Sequence, residues 1–475
     1  MINSRLFLLI SHNFPHKPNE NQEKVLVALV DFLLSTESES VFLLKGYAGT
    51  GKTSLVGALV KTLKELKQKT VLLAPTGRAA MVFSLYAEQK AYTIHKKIYR
   101  QRAFSNEPVG FLPAKNMHTD TLFIVDEASM ISNETYGEFA FGTGRLLDDL
   151  VQYVYSGERC RLLFMGDEAQ LPPVMQTESP ALSRHFVEGY NLKTSEALLT
   201  QVVRQASHSG ILYNATALRN ALKEETTSLF PKLSFSGYKD FISIQGDELI
   251  DTLGEAYSRD GLEETIVITR SNKRAAIYNN GVRNRILDHE EVLCTGDRLM
   301  VAKNNYFWLS EGQDLDFLAN GEMVQVLRIR KTMDIYGFHF ADVLLRFQDY
   351  DLEYEVKVLL DTLQTETPAL PRELGDKLFH AVLEDYEDLR TKVEKMKAIK
   401  ADPFFNAVQV KYAYAVTCHK AQGGQWMNVF VDIGYMTEEM LGEDFYRWLY
   451  TAITRATHRI YFVNIPKDFI EKNNE

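Results

Sequence analysis

Residues 46–53, Gly46-Tyr47-Ala48-Gly49-Thr50-Gly51-Lys52-Thr53, constrain this chain more than any other stretch. They follow the apolar run Val41-Phe42-Leu43-Leu44 and lead into Ser54-Leu55-Val56-Gly57-Ala58-Leu59-Val60, a helical pattern. A strand that turns through glycines into a helix reads as a phosphate-binding loop in an α/β domain. The glycines let backbone N–H groups turn inward around an anion, and the helix N-terminus adds positive potential. Gly46, Gly49, Thr50, Gly51 and Ser54 are therefore expected along a nucleotide, with Lys52 reaching its β- and γ-phosphates. The Thr53 hydroxyl is expected on Mg²⁺. The alternative is a glycine-rich turn that binds nothing, and the complete pattern between strand and helix argues against it. The expectation is a chain that runs on ATP or GTP.

At 475 residues the chain is too long for one ordinary core, so two to four domains are expected. The net charge of −10 argues against a uniformly basic coat, but a local basic cleft can sit on an acidic body. Cys160, Cys294 and Cys418 are widely spaced and suggest neither a disulfide framework nor a zinc pattern, as in a reducing cytoplasm. The run Leu6-Phe7-Leu8-Leu9-Ile10 is too short for a signal-peptide core, and no stretch is long and apolar enough to span a bilayer. A cytoplasmic protein without a membrane partner is expected.

Three further apolar runs end in polar motifs: Thr70–Ala74 before Pro75-Thr76-Gly77-Arg78, Thr121–Val125 before Asp126-Glu127, and Arg161–Met165 before Gly166-Asp167-Glu168-Ala169-Gln170. Near-continuous apolar strands belong to parallel sheets buried on both faces, where ligands bind at the carboxyl ends of strands. Residues 1–185 are read as a first α/β domain. A second set, Thr265–Arg270, Met427–Ile433 and Arg459–Val463, implies a second α/β domain from 186–290 and 405–475. Residues 291–404 interrupt it. Their first part, to about Leu360, looks all-β, with Asn304-Asn305 and Asn320-Gly321 between alternating runs. After Pro371 a charged helix carries Leu374, Leu378, Val382, Tyr386, Leu389, Val393 and Met396 at helical spacing, a face expected to pack on the insertion. Arg100–Asp120 reads as a loop or small hairpin outside the first core.

Asp126 is assigned to the metal, directly or through water, and Glu127 to orienting or deprotonating the attacking water. Gln170 is placed to hydrogen-bond the γ-phosphate or that water. Arg204 and Arg455 are candidate arginine fingers that stabilise charge on the phosphoryl group, although a solvated arginine is the default for either. The Gln22 amide is suited to adenine, donating to N7 and accepting from the N6 amine. Pro75, Thr76, Arg78, His95, Thr417, His419, Lys420 and Gln422 offer hydroxyls, cations and a ring to a nucleic acid strand. Residue types alone leave the partner of Thr417–Trp426 open. Acidic residues outside the ATP motifs form no recognisable nuclease cluster.

Taken in order, Gln22, Gly46–Thr53, Ala74–Ala80, Thr93-Ile94-His95, Asp126-Glu127, Gly166–Pro173, Arg204, Thr417–Trp426 and Tyr450–Ala456 resemble the motifs of superfamily 1B helicases, most nearly the RecD-like and Dda-like DNA helicases. The resemblance implies two RecA-like domains with ATP and Mg²⁺ between them. It implies single-stranded DNA across their tops, 5′→3′ movement, and action at duplex/single-strand junctions. It reads the insertion as an SH3-like module and about 99–120 as a small pin that parts the duplex. Lys52, Asp126, Glu127, Gln170, Arg204 and Arg455 become the catalytic set, and Thr76, Arg78, His95, Thr417, His419 and Lys420 the DNA track. Gln425 stands where the family commonly has Glu. Rival expectations are a translocase that remodels bound protein, an RNA helicase of the same superfamily, and a nucleotide-switch scaffold. Protein partners are left open.

Overall fold

The computed structural model describes residues 2–101, 111–135, 142–201, 209–227, 229–309, 317–348 and 352–471. The apolar runs that end in polar motifs all become strands. The chain first lays down β1 (Ser40–Gly46), β2 (Lys69–Ala74) and β3 (Ala91–Thr93). A short hairpin follows, β4 (Tyr99–Gln101) and β5 (Phe111–Pro113), and then β6 (Thr121–Val125), β7 (Arg161–Gly166) and β8 (Lys193–Leu199). Among the described residues, all of these but the hairpin join one sheet in the order β3-β2-β6-β7-β1-β8. Every pairing in it is parallel. Alternate residues of β1 feed opposite faces. Phe42 and Leu44 pack with the helices Glu20–Leu34, Lys52–Glu65 and Gly77–Ala87, and Val41 and Leu43 pack with Leu146–Tyr155. Burial on both faces is why these strands lack a polar alternation.

The second core starts with β9 (Phe241–Ile244) and β10 (Thr265–Thr269). The chain then leaves to build β11 (Arg298–Val301), β12 (Met323–Ile335), β13 (Phe338–Phe347), β14 (Leu352–Leu359) and β15 (Val408–Tyr412), which close into a barrel. It returns as β16 (Ala415–Thr417), β17 (Trp426–Asp432) and β18 (Ala456–Val463). The second sheet has the order β16-β10-β17-β18-β9, again all parallel. The fold is α/β with two RecA-like cores and an inserted β module. No helix among the described residues is long and apolar enough to cross a membrane.

Three expectations need correction. The first core does not stop at 185, because β8 pairs with β1 from Ser40↔Lys193 to Gly46↔Leu199. As an edge strand it is buried on fewer sides, and Lys193, Ser195 and Glu196 hide it from an apolar-run search. The insertion does not end at 404, because β15 closes the barrel against β11 and β14. The charged helix is two helices, Arg372–Glu384 and Lys392–Lys400. Thr391 starts the second with a capping box to Glu394, a pattern that resets a helix rather than continuing it. The packing expected of that segment holds, with Leu378, Val382 and Ile399 against Phe338, Phe340 and Leu359 of the barrel. The hairpin expected near Arg100–Asp120 is present as β4–β5, and its tip, 102–110, lies outside the described residues. Phe111 at its base packs on Tyr306 and Phe317 of the insertion, with ring centroids 4.5 and 6.2 Å away.

A buried carboxylate joins the barrel to the second core. Asp297, fully buried, accepts from Arg283 Nε at 2.9 Å and Nη2 at 3.0 Å. It also accepts the Cys294 N–H at 2.8 Å and the Tyr414 hydroxyl at 2.9 Å, and pairs with His289 Nδ1 at 2.9 Å. Arg283 belongs to the helix Asn272–Arg285, and Tyr414 to the link between β15 and β16. His289, Cys294 and Asp297 lie close enough to share a cation, but the Arg283 guanidinium already forks both carboxylate oxygens. Removing the carboxylate strands a buried guanidinium. Asp297→Ala should therefore lower unfolding stability by about 3–5 kcal/mol in denaturant titration. A loss under about 1 kcal/mol would contradict this role.

Candidate active site and nucleic-acid interface

The phosphate loop leaves the end of β1 under tight steric control. A Cβ at Gly46 would come within 2.8 Å of Lys52 Cγ and 2.9 Å of Leu199 Cβ. Gly49 and Gly51 take φ of 74° and 84°, which an L side chain rarely adopts. The loop curls around Lys52, whose Nζ donates to the carbonyls of Gly46 at 2.5 Å and Tyr47 at 3.1 Å. Thr50 is buried and donates to Tyr47 O at 2.8 Å, while Thr53 is half-buried and Ser54 exposed on the first helical turn.

Gln22 departs from its expected use. Its Oε1 accepts the Asn19 N–H at 3.1 Å in a capping box, and its Nε2 donates to Thr50 O at 3.1 Å. The residue is 1% exposed, so the amide braces the phosphate loop from the helix Glu20–Leu34 rather than standing free for a base.

Asp126 and Glu127 end β6. Asp126 Oδ1 accepts the Glu127 N–H at 2.7 Å, and Glu127 holds φ at 49°, a left-handed conformation unusual for glutamate. Asp126 as a residue is half-buried, but its carboxyl is enclosed. Burial, then the Glu127 charge, raises its pKa above the ordinary carboxylate range, against opposing pulls from the Glu127 N–H and Lys52. A cation between Thr53 and Asp126 would relieve that burden, so the donor set fits Mg²⁺. Gln170 follows β7 and is 5% exposed, and its Oε1 has no hydrogen-bond partner.

The helix Glu443–Ile453 of the second core meets this site directly. The Tyr450 hydroxyl accepts the Ala48 N–H of the phosphate loop at 3.0 Å and donates to Asp167 Oδ2 at 2.6 Å. Burial, then Asp167, holds its ionisation far above the ordinary range, so the hydroxyl keeps its proton. Thr451 Oγ1 accepts the Leu171 N–H at 2.9 Å. Arg447 donates to the carbonyls of Glu168 and Gln170. Arg219, on the helix Gly210–Lys223, stacks over the Tyr47 ring at 4.5 Å. Sequence reading missed these residues. Tyr450 and Thr451 lie within Tyr450–Ala456, where residue type alone points only to Arg455.

That arginine is a correction. Arg455 is 3% exposed and donates to Thr451 O, Gly424 O and Thr454 Oγ1 at 3.1, 3.3 and 3.2 Å, all in its own core. The structure does not bring it to the phosphate loop. Arg204 lies outside the described residues.

Of the candidate strand-binding residues, Thr76, Arg78 and Gln422 lie where the two cores meet. Thr76 caps the helix Gly77–Ala87 through the Ala79 N–H at 3.2 Å, one residue after the half-buried Pro75. A Cβ on Gly423 would come within 3.1 Å of Thr76 Oγ1, and the φ of Gly423 is 74°. Arg78 donates to Gln425 O at 2.9 Å and lies 4.5 Å over the Trp426 ring. Gln422 is a correction: it is 7% exposed and donates to Leu171 O at 2.7 Å, tying the cores rather than facing a groove. Thr417, His419 and Lys420 are half-buried beside it. His95 lies 5.8 Å from the Tyr99 ring, and burial pushes its imidazole down to about 4, leaving it neutral.

Both cores have relatives among known proteins. The AAA domain family matches residues 19–232, and the UvrD-like helicase C-terminal domain family matches residues 412–463. An uncharacterized protein, R530, of Acanthamoeba polyphaga mimivirus is 22% identical over 94% of this chain and 99% of its own length. The ATP-dependent DNA helicase dda of Enterobacteria phage T4 is 22% identical over 88% of this chain and 93% of its own. A crystal structure of Pif1 helicase from Bacteroides in complex with ADP-AlF3 and ssDNA aligns with a TM-score of 0.47 and 15% identity, covering 96% of this chain and 94% of that one. The two families fall in order on the two cores, Dda aligns along nearly its full length, and the chain is similar to superfamily 1B helicases across both cores.

Proposed function

We propose that this chain is an ATP-dependent DNA helicase that moves 5′→3′ on single-stranded DNA and opens duplex at junctions. The observation that carries the reading is the contact of the second core with the phosphate loop itself, through Tyr450 to Ala48 N–H and Asp167. A group on one core that hydrogen-bonds the triphosphate cradle of the other makes the spacing of the cores answer to what the cradle holds.

On this reading Lys52 exchanges the Gly46 and Tyr47 carbonyls for phosphate oxygens. Thr53 and Asp126 would hold Mg²⁺, which supplies positive charge against the phosphoryl oxygens. Glu127, fixed by its left-handed backbone, orients the attacking water and takes its proton. Gln170 has its Oε1 open for that water. Because Gln170, Leu171 and Asp167 are tied to Arg447, Thr451 and Tyr450, loss of phosphate at Gln170 shifts the helix Glu443–Ile453. Thr76 and Arg78 meet Gly423, Gln425 and Trp426 of the second core, and Thr417, His419 and Lys420 lie just before these in the chain, so that shift alters the grip on a strand held by these residues. The β4–β5 hairpin stands ready to part the duplex.

Unwinding of tailed duplexes with ATP and Mg²⁺ tests the function. Duplexes with 5′ tails should open and 3′-tailed ones should not; equal opening of both, or of neither, contradicts the proposal. Lys52→Ala should cut strand-stimulated ATPase at least about 100-fold with little change in thermal unfolding. Tyr450→Phe deletes both hydroxyl bonds at almost constant volume. It should lower strand-stimulated turnover roughly 5- to 30-fold, the equivalent of about 1–2 kcal/mol, in steady-state ATPase assays. Unchanged stimulation in that variant would show the contact to be incidental.

A further inference from the structure

The edge strand β8 of the first core ends at Leu199, level with Gly46 of β1. Thr200 and Gln201 then leave the sheet, and the helix Gly210–Lys223 that follows belongs to the second core, where Ile211, Ala215 and Leu218 pack with Ile266 and Leu449. At the level of Thr200, β1 has already turned into the phosphate loop and offers the departing backbone no partner. The side-chain amide of Asn21 takes that place. Its Oδ1 accepts the Thr200 N–H at 2.8 Å and the Gln201 N–H at 3.4 Å, and its Nδ2 donates to Leu198 O at 3.1 Å. A primary amide presents the donor and acceptor of a peptide group, so Asn21 acts as one further rung on the edge strand.

The neighbouring Gln22 holds Thr50 O of the phosphate loop, and Leu199 O accepts the Tyr47 N–H at 3.3 Å. Two consecutive amides on the first turn of the helix Glu20–Leu34 thus join the triphosphate cradle to the stem of the connection between the cores. Stability does not account for Asn21. It is half-buried beside the exposed Thr200 and Gln201, so water can take over its bonds at small cost, and alanine is the better helix former. We propose that Asn21 is a positioning residue that keeps this stem in register with the phosphate loop, so that a triphosphate reshaping the loop also moves the start of the connection to the second core. The inference rests on the ATP-driven cycle proposed above. It adds to the Tyr450 contact a second route between the cores, one that runs through the covalent chain.

The test is steady-state ATPase of the full chain with and without oligo-dT. Asn21→Ala should keep basal turnover and the KM for ATP within about twofold of wild type, with thermal unfolding unchanged, and lose roughly three- to tenfold of the oligo-dT stimulation. Asn21→Asp keeps an acceptor for the Thr200 and Gln201 N–H groups and should recover most of that stimulation. Asn3→Ala, which removes another exposed amide of the first core, bonded to Asp31, should behave as wild type. Full stimulation in Asn21→Ala overturns the proposal. An equal fall in basal and stimulated turnover overturns it too, because Asn21 would then support the phosphate loop alone, as does an equal loss in Asn21→Asp and Asn21→Ala. A wild-type chain whose ATPase ignores oligo-dT would overturn the proposed function itself, and this route with it.

Discussion

One phenol hydroxyl holds a central place in this structure. Tyr450 reaches out of the second core, accepts an N–H from the phosphate loop and donates to the buried Asp167 carboxylate that follows β7. A hydrogen bond to a charged group contributes about 1.5–3 kcal/mol when shielded from water, more than a neutral one. Its importance lies in what it joins. The loop expected to cradle phosphate, the loop carrying Gln170 and the helix Glu443–Ile453 meet at a single oxygen. Around it, Thr451 with Leu171, Arg447 with Glu168 and Arg219 with Tyr47 extend the contact, so the cores share a polar seam of directional bonds. Apolar packing runs through the same seam, with Tyr47, Ala169 and Leu171 of the first core in one buried cluster with Ile211, Leu449 and Tyr450 of the second.

The same seam organises the opposite edge of the cleft. Arg78 over Trp426 and Thr76 against Gly423 are cross-core contacts, as is Gln422 with Leu171. On the proposed function the strand groove and the nucleotide cradle are therefore two ends of one rigid connection. The short helix Cys418–Ala421 lies between Thr417, facing a cavity beside the barrel, and Gln422, facing Leu171. On that reading a displacement at Leu171 reaches Thr417 through this one short helix.

Much of this was legible in the chain itself. The strands β1, β2, β6 and β7 announce themselves as unbroken apolar runs because both faces of the sheet are covered, and the motifs at their ends fall where such sheets bind ligands. Glycine placement fixed the loop, since Gly46 has no room for a Cβ and Gly51 needs a left-handed backbone. The misses share one cause. Residue type tells what a side chain can bond, and only the fold tells which partner wins. The amide of Gln22 suits a base, yet Asn19 three residues earlier makes a capping box, a signal visible in the sequence. Arg455 suits a γ-phosphate, yet the Thr451 carbonyl one helical turn back holds it. Edge strand β8 and barrel strand β15 carry too many polar residues for an apolar-run criterion.

On the proposed function the nucleotide cradle sets the spacing of the two cores through Tyr450. Its most direct measurement is the distance between dyes on Lys64→Cys, exposed on the first core, and Lys239→Cys, exposed on the second, followed by single-molecule energy transfer. Adding a non-hydrolysable ATP analogue with Mg²⁺ should move the transfer efficiency to a new value, and Tyr450→Phe should blunt that movement. A distribution unchanged by nucleotide, in the presence and absence of oligo-dT, would contradict the account.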